Sequence, residues 1–213
     1  MLLYDPRMVD PVTQPRTGNV IRSVKVANRR SEVCERLLDS AAELFVAQGI
    51  NNVSVEDLLK VVGISRATFY GFFANKTELA ANILLPVFNS GIELLAQTRP
   101  SESSEPRVLA EQLVDMYLEL WEKHRHALLL TSMVDSTLFK HIKTPHDEFG
   151  AAIMELLGVV AEQGALRNGS ATLSYLLLAK TGIPLLRLYQ NQPNFEAIYR
   201  ESMLALLLND PAP

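Results

Sequence analysis

Residues 54–73 read SVEDLLKVVGISRATFYGFF, and no other stretch constrains the fold as tightly. Ser54 is suited to cap the N-terminus of a helix, and Asp57 stands three positions on, where its carboxylate can answer the capping hydroxyl. Val55, Leu58, Leu59 and Val62 recur at the spacing that places them on one side of that helix. Gly63 can adopt the left-handed backbone that ends a helix, and Ser65, two residues later, offers a second N-cap. Ile64, between them, is placed to plug the core where the two helices meet. Two short helices joined by so tight a turn predict a helix-turn-helix. In that motif the second helix enters the major groove of DNA while the first braces it across the backbone.

The second helix, read over residues 66–73, supports this. Helical periodicity puts Phe69 and Phe73 on an inward stripe and leaves Ala67, Thr68 and Gly71 on the outer face. Small residues there let the backbone approach base edges. Arg66 can reach guanine O6 and N7, the methyl groups of Ala67 and Thr68 can meet thymine, and the Tyr70 hydroxyl can bond a phosphate.

The rest of the 213-residue chain shows helical spacing and no alternating strand pattern, which predicts an all-α protein of about nine helices. The spacing places them at residues 30–48, 54–62, 66–73, 76–97 with a bend at Pro86, 107–124, 126–132, 145–163 with Thr144 as cap, 170–190 and 194–208. Three regions follow: a flexible basic tail at 1–27, a three-helix DNA-binding domain at 28–76, and a larger helical domain at 77–213. The net charge of −4 argues against nucleic acid only until it is divided, because residues 1–80 hold ten Lys/Arg against nine Asp/Glu and residues 81–213 hold ten against fifteen. The tail is either a solvated segment or an arm that touches phosphates or the minor groove. Cys34, the single cysteine, lies on an apolar stripe and reads as a core thiol. No signal peptide and no membrane span is legible.

The motifs so far resemble the TetR family of homodimeric, ligand-responsive transcription regulators. Phe45, the Gly49 stop, V-S-V-E-D-L, G-I-S-R-A-T-F-Y and N-K-T-E-L stand where that family places such residues. The resemblance implies that Ser54 binds phosphate, that Arg66, Ala67 and Thr68 address bases, and that Tyr70 and Lys76 anchor phosphates. Ser65 and Gly71 complete the DNA-facing set. Gly71 and Phe72 depart from the usual pattern, which points to a weaker phosphate grip. For residues beyond about 80 the resemblance implies a ligand-binding and dimerisation domain. A hydrophobic or amphipathic effector would then be lined by Phe88, Met116, Tyr117, Trp121, Met133, Phe149 and Ile153. The helices at 170–190 and 194–208, apolar around much of their circumference, are the dimer candidates. The expected function is a cytoplasmic, nucleoid-associated homodimeric repressor on a palindromic double-stranded operator, released by its effector. The alternative is a constitutive dimeric DNA-binding protein without an effector.

Enzymatic chemistry finds no foothold. There is no G-x-S-x-G elbow, no phosphate-cradling glycine loop and no H-E-x-x-H. His124 and His126 are two residues apart, which is not the spacing that aims two ligands from one helical face, so no metal site and no cofactor is expected.

Overall fold

The structure, a computed structural model, describes residues 17–98, 100 and 104–209, and of residues 17–27 it describes the backbone alone. The chain divides into two compact units, Met1–Arg36 and Leu37–Pro213. Helix α1 (Thr17–Gln48) begins in the first unit and ends in the second.

In the first unit, α1 starts well ahead of residue 30, where the apolar spacing begins. Of the stretch read as a tail, residues 17–27 are helical and residues 1–16 lie outside the described residues. Apolar periodicity is a poor guide to this start, whereas proline is a good one: residues 16–85 contain none, so nothing in that span removes a helical hydrogen bond. The exposed Ser31 hydroxyl donates to Glu35 one turn on, at 3.0 Å. Cys34 is half-buried rather than fully enclosed, and burial, with the neighbouring Glu35 charge, raises its thiol above the usual range.

The second unit opens with the end of α1, stopped by Gly49, whose amide donates to the Phe45 carbonyl at 2.8 Å. A short 3-10 turn, Ile50–Asn52, leads to α2 (Val55–Val62), α3 (Arg66–Tyr70) and α4 (Lys76–Thr98). Leu37, Ala41 and Phe45 of α1, Leu58 of α2, Phe69 and Phe73 are all buried. Each large apolar side chain so enclosed contributes about 1.5–3 kcal/mol before conformational entropy is counted.

Four further helices follow: α5 (Pro106–Leu130), α6 (Ser136–Glu162), α7 (Ala171–Tyr189) and α8 (Phe195–Leu207). Eight α-helices are therefore seen among the described residues, where the sequence divides into nine segments. The segments at 107–124 and 126–132 are one helix, α5, broken locally at His124, whose φ of −133° and ψ of 30° are not helical. Helix α6 differs too. It starts at Ser136, capped by the Asp135 carboxylate, which accepts from the amides of Thr137 and Leu138 at 2.9 and 2.8 Å. Pro145 consequently sits inside the helix instead of in its first turn. The added turns bury Leu138 and Ile142, a pair one turn apart, and tertiary burial of this kind outweighs a proline's local preference.

Helices α4 and α6 pack closely at Gly91, where a β-carbon would lie 2.4 Å from Phe149 Cε2. By length and composition α4 could cross a membrane, yet half of its most apolar window is buried inside the protein, the pattern of a core helix. Leu166 and Leu208 form an isolated antiparallel bridge that ties the end of α8 to the α6–α7 connection.

Candidate nucleic-acid interface

The turn is built as the sequence predicts. The Ser54 hydroxyl accepts from the Asp57 amide at 3.1 Å, and the Asp57 carboxylate accepts from the Ser54 amide at 3.0 Å and from the Ser54 hydroxyl at 2.5 Å. These bonds favour the ionised acid and hold the Asp57 carboxyl below the usual carboxylate range. Gly63 has φ 71° and ψ 40°, the left-handed conformation, and its amide reaches the Leu59 carbonyl at 3.0 Å. Ser65 then caps α3 by accepting from the Thr68 amide at 3.0 Å, and its hydroxyl lies 2.8 Å from Thr68 Oγ1.

Phe69 fixes the rotation of α3. Its ring is fully buried, meets Tyr70 edge-on at 5.3 Å and lies 6.3 Å from Phe73. The opposite side of α3 is left to solvent. Arg66, Ala67, Tyr70 and Gly71 are exposed, as are the caps Ser54 and Ser65, while Thr68 and Lys76 are half-buried. The residues singled out in the sequence thus surround one turn. Helix α3 stops at Tyr70, short of residue 73. Gly71 keeps a right-handed φ of −76°, its amide bonds the Ala67 carbonyl at 3.0 Å, and the chain turns there so that Asn75 can cap α4. Asn75 Oδ1 accepts from the Glu78 amide at 2.9 Å, and the Glu78 carboxylate accepts from the Ala74 amide at 2.6 Å.

Two contacts are not legible in the sequence. The Arg66 guanidinium is ion-paired with Glu56, across the turn on α2. No helical spacing rule relates residues ten apart, so only the folded turn reveals the pair. Lys76 is also occupied: its ammonium donates to the Val53 carbonyl at 2.7 Å and lies 3.4 Å from that of Asn51, tying the start of α4 to the loop before α2. An ammonium has three N–H groups, so this use leaves a donor over.

Of the seven residues expected to line an effector pocket, six lie on α4, α5 and α6, and Met133 lies in the turn that follows α5. Phe88, Met116, Tyr117, Trp121 and Ile153 are buried, Phe149 is half-buried, and Met133 is exposed. Phe88 and Phe149 meet at 6.1 Å, and the Tyr117 ring lies against Gly182 of α7. A cleft of about 970 Å³ is walled by the end of α1, α4, α5 and α8, and of the seven Trp121 alone lines that cleft. His124 stands at the break in α5 with Nε2 3.0 Å from the Ser90 hydroxyl, and among the described residues no three His, Cys, Asp or Glu side chains converge on a common point.

Comparison with known proteins bears on this geometry. Residues 37–83 match the family described as "Bacterial regulatory proteins, tetR family". Over 55 residues the chain is 38% identical to the "Putative mycofactocin biosynthesis transcriptional regulator MftR" of Mycobacterium tuberculosis, an alignment covering 26% of this chain and 28% of that protein. The chain thus spans little more than a quarter of that relative's length. A longer alignment, 20% identical over 183 residues, covers 81% of this chain and 88% of the "HTH-type transcriptional repressor BepR" of Brucella suis. Among solved structures, AibR "in complex with isovaleryl coenzyme A and operator DNA" superposes with a TM-score of 0.68 at 13% identity, over 83% of this chain and 98% of that one. At that identity the likeness is one of fold.

Proposed function

We propose, from the premise that this is a DNA-binding regulator whose residues 37–83 are the TetR-family DNA-binding region, that the protein is a cytoplasmic homodimeric repressor. It would bind a palindromic operator and leave it when a small hydrophobic or amphipathic effector binds. The observation that carries this is the exposed face of α3, where Arg66, Ala67 and Gly71 leave the backbone open to base edges and the Ser54 and Ser65 caps flank it. Arg66, Ala67 and Thr68 address bases. Ser54, Ser65, Tyr70 and the spare donor of Lys76 address phosphates, and Gly71 permits close approach.

Charge assigns a part to the N-terminal segment as well. Residues 37–83 hold three basic side chains against five acidic ones, whereas residues 1–36 hold seven against four. Salt-dependent affinity in this reading comes mainly from that segment, through phosphates or the minor groove. Dimerisation is supported by α7, which leaves Leu173, Leu176 and Leu188 exposed at 53%, 51% and 66%. The names of BepR, a repressor, and AibR, solved with a coenzyme A thioester and operator DNA, support repression and effector response by likeness.

Binding-site selection followed by titration tests the assignment. Arg66→Ala should cost ~1–3 kcal/mol on the selected operator and relax preference at one base pair per half-site, whereas Tyr70→Phe should weaken operator and random DNA alike. Equal losses on both DNAs for Arg66→Ala would remove arginine from base readout.

A further inference from the structure

The cleft bounded by α1, α4, α5 and α8 has a lining that none of the residues read for DNA or effector explains, Trp121 apart. Its volume, about 970 Å³, is at the upper end of the ~300–1,000 Å³ usual for small-molecule sites. Buried apolar residues, among them Ala42, Ile83, Trp121 and Ala127, supply one part of its surface. Polar and charged side chains, Asn82, His124 and His126 among them, supply the rest, and the balance of charge is uneven. Five carboxylates line the cleft against Lys123, Arg125 and Arg200.

Two of those carboxylates are already answered. Arg200 is paired with Asp115, and Lys123 with Glu119 at 2.5 Å. Asp39, Glu122 and Glu196 have no salt-bridge partner among the described residues, and Arg125 is the permanent cation left to set against them, beside the imidazoles of His124 and His126. Three exposed carboxylates beside an apolar wall that contains an indole favour a ligand with positive charge on a bulky apolar body. The carboxylates attract the charge, the indole face adds a cation–π contribution, and the apolar wall takes the remainder. A carboxylate, phosphate or thioester-phosphate ligand would meet repulsion there instead.

We propose that this cleft binds an amphipathic organic cation. The walls give the occupant a route to DNA, because Leu38, Asp39 and Ala42 belong to the helix that leads into the helix-turn-helix, and Asn82, Ile83 and Pro86 to the helix that begins at Lys76 and follows it. Use of the site as an effector site rests on the repressor reading above, but cation binding does not.

Trp121 is the chain's single tryptophan, so its fluorescence reports this cleft alone. The probes are tetraphenylphosphonium and tetraphenylborate, two ions of closely similar size and shape and opposite charge. The phosphonium should change Trp121 emission saturably and bind at least about tenfold more tightly than the borate. In Glu122→Gln/Glu196→Gln, both substitutions at exposed positions, phosphonium affinity should fall about fivefold with circular dichroism unchanged, the scale of two exposed charge interactions. No saturable signal, equal affinity for the two ions, or an unchanged affinity in the variant would each overturn the proposal. Operator binding measured in parallel separates the two readings: cation binding by a chain that binds no operator would leave this site standing and remove the repressor assignment.

Discussion

At Ser54 and Asp57 one hydroxyl and one carboxylate satisfy two amides at the start of α2, and the serine proton goes to the carboxylate as well. For Ser54 to donate to a DNA phosphate, as proposed, its hydroxyl must first release Asp57. The cap has a defined pH window. Its bonds lower the Asp57 pKa below the unfolded value, so the stabilisation is present above the ordinary carboxylate range and is lost as pH falls through the folded-state value. Asp57→Asn should lower the melting temperature at pH 7, and the gap to wild type should narrow as pH falls below the ordinary carboxylate range. A gap independent of pH would show that the charge of Asp57 is not what the cap uses. Gly63 is constrained more simply. With φ at 71°, any β-carbon strains the backbone although open space surrounds it, so Gly63→Ala should destabilise the protein by ~1 kcal/mol in chemical denaturation.

At the scale of elements, the Glu56–Arg66 ion pair bridges α2 and α3, and in the proposed reading it governs how readily the arginine reaches a base. Both side chains are half or more exposed, so the pair stabilises the fold little. If Arg66 reads a base as proposed, the effect on DNA should be larger, because Arg66 must then leave Glu56 and the freed carboxylate repels phosphates. Glu56→Gln should raise affinity for operator and for random DNA several-fold at low salt while leaving the melting temperature nearly unchanged. An unchanged or lower affinity would show that Glu56 orients Arg66 instead of withholding it. Local chemistry makes the helix-turn-helix legible in the sequence: two serine caps and a left-handed glycine depend on neighbours within four residues. The same reasoning stops at contacts across the turn, such as Glu56 to Arg66, and at Lys76, whose carbonyl partners lie 23 and 25 residues away. It also misplaces the start of α6. Thr144-Pro145 is a sound local start signal, but burial of Leu138 and Ile142 carries the helix further back, and that burial is decided by helices distant in sequence. The apolar residues of α4, α5 and α6 were legible as buried, whereas which of them border open space depends on how the helices pack, so the cleft was not.

For the molecule as a whole, one α3 cannot account for operator recognition. It has five residues, one arginine and a narrow outer face, enough to address about one base triplet or less per protomer. Two copies related by a two-fold axis would place the reading helices ~34–36 Å apart, on successive major grooves, and double the number of bases read. Helix α7 offers the surface for this. Taken at helical spacing, Leu173, Leu176, Leu177, Lys180, Pro184 and Leu188 fall on one side, and all of these but the half-buried Leu177 are exposed. The lysine within an otherwise apolar stripe would sit near its own copy across a two-fold axis only if the helices crossed at that point, so a crossing nearer Leu176 and Leu173 is favoured. A charge placed in the stripe should separate the protomers while leaving each folded, since both leucines lie on the surface. Leu176→Glu/Leu188→Glu should sediment as a monomer of 23.7 kDa, keep its helical circular dichroism, and bind a half-site about as well as wild type. On the full palindrome it should lose the steep concentration dependence and at least tenfold in affinity, because the second α3 no longer arrives with the first. A variant that remains dimeric would place the interface on another face and leave the exposed leucines of α7 for a different partner.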